Sequence, residues 1–157
     1  MLWKRSFDNW AKFLLSTIIL CFCYCDGMGQ DPAHPAGADA KIFWKDHATG
    51  LIWAVKDNGS SVSPNEASDY CSSLRSGGYS DWRLPTIDEL ETLYDSKLSK
   101  PYKLKGPIEL SDPCVLSATT NSSGTWSYCF NSGSRNLGGG TGCGTTGHAL
   151  CTRGPVR

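Results

Sequence analysis

The order of local signals along the chain predicts an α+β fold. Three observations carry it. Two strand-like segments flank a Thr-Gly turn, two capping boxes each open a short amphipathic run, and the last forty or so residues hold short alternating segments between glycine-rich turns. Strands and helices are segregated along the chain and do not alternate as βαβ units, which argues against a wound parallel sheet.

The first residues read as a targeting segment. Lys4, Arg5 and Lys12 precede an almost wholly apolar run of about 11 residues, Phe13 to Cys23. That is too short for the roughly 20 residues a membrane span needs, and the right length for a signal sequence. Gly27 and Gly29 supply small residues for cleavage after Gly29. An uncleaved N-terminal anchor is the other reading. Residues 1–29 are thus expected to be a signal peptide, residues 30–40 a flexible Pro/Ala/Gly leader, and residues 41–157 one folded domain. The expected location is secreted, periplasmic or at the cell surface.

Each element of the domain has a local reason. Lys41–Asp46 and Leu51–Val55 form the predicted hairpin around Thr49-Gly50, and Asp57-Asn-Gly-Ser60 ends it. Ser63, Pro64 and Glu66 open a helix expected over about 64–76, with Ala67, Tyr70, Cys71 and Leu74 on one buried face. Gly77-Gly78 stops it. Thr86 and Glu89 cap a second helix over about 87–95, whose inner face is Ile87, Leu90, Leu93 and Tyr94. Pro101 breaks any continuation of this helix, and residues 96–125 read as a long loop. Trp126, Tyr128 and Phe130 alternate with Cys129, which points the other way. Asn131–Ser134 reads as a turn, 136–147 as a Gly/Thr loop, and His148–Thr152 as a terminal strand.

Composition excludes several classes. Six Trp, six Tyr and five Phe do not belong to a disordered chain. A formal charge of zero, about −1 after loss of residues 1–29, argues against a nucleic-acid partner. Gly142–Gly147 spells G-x-G-x-x-G, but the chain ends too soon for a βαβ unit to follow. His34, His47 and His148 lack ligand spacing, and Asp88, Glu89 and Glu91 read as a helix face with one cap. No catalytic residue, metal or cofactor is expected. Asn58-Gly-Ser60 and Asn121-Ser-Ser123 fit the glycosylation sequon.

Five cysteines remain after residue 29, which in an oxidising compartment implies two bridges and one leftover thiol. Cys129–Cys143 is preferred over either pairing with Cys114, because a short glycine-rich loop can fold back across the strand. Arg83, between Trp82 and Leu84, is expected to be a part-buried clamp on carbonyls or a carboxylate, with an anion-binding role as the alternative.

Three segments stand out: Asp46-His-Ala-Thr-Gly-Leu-Ile-Trp53, the stretch from Glu66 through Gly77-Gly-Tyr-Ser-Asp81-Trp82-Arg83-Leu84-Pro85-Thr86 to Leu90, and Leu150-Cys-Thr-Arg-Gly-Pro155. Together they resemble the Lcl C-terminal domain family. The Arg-Leu-Pro-Thr element is also similar to the formylglycine-generating, sulfatase-modifying group. The resemblance implies a C-type-lectin-like fold with its N- and C-terminal strands paired, and a Cys71–Cys151 bridge. It implies a secreted or surface-exposed, non-enzymatic binding domain that engages glycans or anionic polysaccharide. A structural envelope protein without ligand, or an enzyme-modifying accessory of the sulfatase-modifying type, are the alternatives. The loops are where such folds bind, so Lys100, Tyr102, Lys103 and Lys105, with Asn121 and Arg135, are the expected contacts. The calcium-binding motifs of C-type lectins have no counterpart here.

Overall fold

A computed structural model describes residues 42–138, 143 and 145–156. The expected signal peptide and leader lie outside them. The described chain is α+β, with two three-stranded antiparallel sheets and two short helices. Among the described residues no helix is long and apolar enough to cross a membrane.

The predicted hairpin is present as β1 (Phe43–Lys45) and β2 (Ile52–Ala54), with Trp44 opposite Trp53. Asp46 builds its turn, accepting from Ala48 N at 3.0 Å and from the Thr49 hydroxyl at 2.7 Å. Helix α1 (Pro64–Ser73) and helix α2 (Ile87–Thr92) both begin at complete capping boxes, on Ser63/Glu66 and Thr86/Glu89. Both end earlier than their apolar patterns suggest. Leu74 is already extended, and Leu93 caps α2 before the chain turns away. Glu66 sits at a helix N-terminus, and its hydrogen bonds to Ser63 hold its carboxyl below the usual range.

The stretch 96–125 is not one loop. Cys114–Asn121 is the longest strand, β3, paired with β4 (Gly124–Cys129), which in turn pairs with β5 (Ser134–Leu137). The strand was hidden because its first half is buried without interruption from Cys114 to Ser117. Both helices pack on it, so no two-residue alternation survives. Ser134–Leu137 likewise takes over the end of the expected turn and the start of the expected glycine loop.

The expected terminal strand is divided. Only Thr152–Arg153 forms a strand, β6, beside β2. Before it, Gly147 bridges Val62 and His148 bridges Val115. The return segment therefore joins the two sheets. The main core is Leu51, Trp53, Leu90, Leu93, Tyr128 and Phe130 with their neighbours, and a second cluster gathers Ala67, Cys71, Trp82, Leu84 and Cys151. Tyr128 is buried in the first, and burial pushes its phenol up to about 12.

The Asp81–Thr86 motif locks the chain closed. Arg83 exchanges backbone hydrogen bonds with Thr152 at 2.8 and 2.9 Å. Its guanidinium donates to both oxygens of the buried Glu89, at 2.8 and 2.7 Å, and reaches the carbonyls of Gly154 and Pro155. Glu89 Oε2 also accepts from Thr86 N at 2.9 Å. On the other side Arg153 forks onto Asp81 at 2.7 and 2.9 Å and lies 3.7 Å over the Tyr79 ring. This donation from Arg153 holds the Asp81 carboxyl below its ordinary value. Trp82 donates its indole N–H to Ser76, and Pro85 O accepts from Ala118 N.

The Cys71–Cys151 bridge is present, with a sequence separation of 80. The second bridge corrects the expectation: Cys143 pairs with Cys114, and among the described residues Cys129 is the free, buried thiol. The return segment runs along β3, not β4. His148 N donates to Cys114 O at 2.8 Å and Leu116 N to His148 O at 2.9 Å, so Cys143 arrives beside Cys114.

Two stability experiments follow. Arg83→Ala strands a buried carboxylate and is expected to cost about 3–5 kcal/mol. A urea titration showing under about 1 kcal/mol would refute the clamp. The double Cys71→Ala, Cys151→Ala variant is expected to lose about 4–5 kcal/mol, from the chain-entropy estimate for an 80-residue loop. Non-reducing denaturation measures it.

Candidate functional site

Among the described residues, polar side chains gather on the lysine-bearing loop after α2 and in a cleft where the return segment meets β3.

The loop is held along its length. Asp95 N donates to Lys103 O and Lys105 N to Leu93 O, both at 2.9 Å, and Leu104 is 2% exposed. Gly106 closes the turn at φ +72, where a Cβ would sit 2.7 Å from the Trp44 ring. Two lysines help. Lys100 Nζ donates to Gly106 O at 2.8 Å and Lys105 Nζ to Thr92 O at 2.8 Å. Lys103 has φ 46, in the left-handed region, and Lys97 is exposed. Tyr102 is half-buried against the main core.

The two further expected contacts sit elsewhere. Arg135, on β5, pairs with Asp88 at 2.7 Å and with Glu91, both on α2. The hydrogen bond to Glu91 is the main cause raising its pKa further. Asn121 is exposed at the β3–β4 turn, accepting from Ser123 N at 2.8 Å. Arg135 is opposite Tyr128, and Asn121 is opposite Gly124. The four steps along β4 from Gly124 to Tyr128 span about 13 Å at roughly 3.3 Å each. Lys105 and Arg135 thus flank α2, and Asn121 does not join them.

The cleft was not visible in the sequence. It holds about 180 Å³ and is lined by Ser61, Asp112, Cys114, Cys143, Thr146 and His148, among others. Asp57, at the end of the first hairpin, orients His148 from behind: Oδ2 lies 3.0 Å from His148 Nδ1 and accepts from Ser111 N at 2.8 Å. Oδ1 accepts from the Ser111 hydroxyl at 2.7 Å and Gly59 N at 3.0 Å. The carboxylate, not the imidazole, stands at the centre of this group. Ser111 is therefore not placed as the nucleophile of a hydroxyl relay through His148, because there the imidazole must lie between hydroxyl and carboxylate. The Asp57 group instead ties three distant segments together. The only sequence signal for it was the Asp57-Asn-Gly turn, which reads equally well as hairpin punctuation.

Beside His148 three sulfurs converge. Those of Cys114, Cys129 and Cys143 all lie within 4.8 Å of one another. With two joined as a disulfide, only Cys129 is a thiol, and its S–H donates to Asn131 Oδ1 at 2.9 Å. A soft metal would find three thiolates here only after reduction.

Asp57→Asn puts an amide where four donors converge, so its NH2 group must face the backbone N–H of either Ser111 or Gly59. The expected cost is about 1–3 kcal/mol. Amide exchange at Ser111 and Gly59 should quicken together, and unchanged protection at both would contradict the shared-carboxylate account.

The sequence model of the Lcl C-terminal domain matches residues 43–153. No curated protein and no solved structure gives a significant match.

Proposed function

The chain belongs to the Lcl C-terminal domain family, and from that premise we propose that it is a non-enzymatic binding domain, secreted or surface-exposed, that engages anionic glycans. One observation carries the proposal. Lys97, Lys100, Lys103 and Lys105 stand on a loop pinned by backbone bonds on both sides of a buried leucine. Such a loop presents its charges with little ordering cost on binding. Carbonyl partners position the Lys100 and Lys105 ammonium groups without cancelling their charge, and sulfate or carboxylate groups complement such a cluster. Pairing of the first hairpin with the last strand supports the finer assignment, a C-type-lectin-like scaffold displaying loops.

A second reading has its own support. Arg135 is occupied by two carboxylates, and Lys100 and Lys105 already serve the fold. These ties favour a structural envelope protein without ligand.

Binding to an immobilised heparin-like polymer separates the two. The chain is expected to bind at low salt and to weaken steeply towards about 0.15 M, where screening acts over about 8 Å. The triple Lys100→Gln, Lys103→Gln, Lys105→Gln variant keeps hydrogen-bond donors while removing charge. It should keep its fold and lose at least tenfold in affinity, about 1.4 kcal/mol. Wild-type protein that ignores the polymer even at low salt would leave the structural reading standing.

A further inference from the structure

Cys114 has two sulfur neighbours at once. It is bonded to Cys143, and Cys129 Sγ lies 3.7 Å away. Cys114 and Cys129 are register partners on β3 and β4. Phe130 N donates to Pro113 O at 2.9 Å, so the two cysteines form a non-hydrogen-bonded pair. Such pairs hold their Cα atoms about 4.5 Å apart, inside the roughly 4.4–6.8 Å range that a disulfide spans. The Cα atoms of Cys114 and Cys143 are 5.4 Å apart. Either bond therefore fits the backbone as it stands. Cys114 and Cys143 also line the cleft beside His148.

We propose that the three cysteines form a thiol–disulfide exchange site, with Cys114 as the shared sulfur and Cys143 as the acceptor of disulfides from low-molecular-mass compounds. Cys129 loses its proton to water and attacks Cys114 Sγ. The Cys114–Cys129 bond forms as Cys114–Cys143 breaks, and Cys143 leaves as a thiolate. No oxidant or reductant is consumed, because one disulfide and one thiol stand on each side. The Cys143 thiolate, at the cleft, then attacks an outside disulfide. A Cys143–S bond forms, the outside S–S bond breaks, and its second half departs as a thiolate that takes up a proton. Nothing in the glycan-binding reading requires this site.

The experiment uses the folded full-length chain, alkylated at intervals and mapped without reduction after chymotryptic cleavage between Cys114 and Cys129. Wild-type protein is expected to yield both the Cys114–Cys143 and Cys114–Cys129 linkages, with alkylation at Cys129 in the first and at Cys143 in the second. Exchange should quicken as pH rises, since the thiolate is the attacking species. Treatment with hydroxyethyl disulfide should add one mixed disulfide at Cys143 in wild type and none in Cys129→Ser. Cys143→Ser should carry Cys114–Cys129. A wild-type map with Cys114–Cys143 alone at every pH overturns the proposal. So does an adduct on Cys129 in place of Cys143, or equal Cys143 adduct in wild type and Cys129→Ser. The wild-type map decides the matter even where a variant fails to fold.

Discussion

Glu89 is a carboxylate buried to 1% exposure in a domain whose strands run from two to eight residues. Burying that charge costs several kcal/mol unless it is paired and fully hydrogen-bonded. Its partner Arg83 matches it oxygen for nitrogen, while the Thr86 backbone fills a further acceptor position. The pair has consequences well beyond itself. Glu89 completes the capping box that starts α2, and Arg83 holds the closing strand through Thr152 and the last carbonyls through Gly154. One ion pair thus ties the start of a helix to the end of the chain. The planar fork of arginine suits this, because one group must meet a carboxylate and several carbonyls in fixed directions.

The rest of the domain follows the same economy. Three-residue strands such as β1 and β2 bury little area, and a lone two-stranded hairpin is marginal in water. The fold compensates by threading residues 147–153 between the two sheets. Gly147 meets Val62, His148 meets Val115, and Thr152 lies beside both Trp53 and Arg83. The Asp57 carboxylate and the Cys71–Cys151 bridge fasten the same segment. Closure by long-range ties, and not extended sheet, makes the unit coherent.

The sequence was legible wherever a local rule had one solution. Ser63/Glu66 and Thr86/Glu89 fixed both helix starts, since a capping box uses side chains three residues apart and needs no knowledge of the fold. The Thr-Gly turn marked the first hairpin. Legibility failed where tertiary packing supplied the decisive contacts. Cys114–Ser117 is covered by helices, which erases the alternation that identifies a strand. The second disulfide depended on which strand the return segment follows, and spacing alone does not carry that information. The Asp57–His148 contact joins residues 91 apart.

The same distinction separates the two candidate sites. The lysine loop is a local feature: its charges lie within nine residues and can be counted in the sequence. The sulfur cluster is assembled from three segments, and its chemistry exists only because β3 is flanked by β4 on one side and the return segment on the other. A strand in that position has one side chain open to two neighbours, and here that side chain is Cys114. Both edges of β4 are already taken, by β3 and β5, so β3 is the strand with a free edge for the return segment, and Cys143 meets Cys114. The topology of a single backbone pairing, His148 against Val115, therefore decides which sulfur is shared.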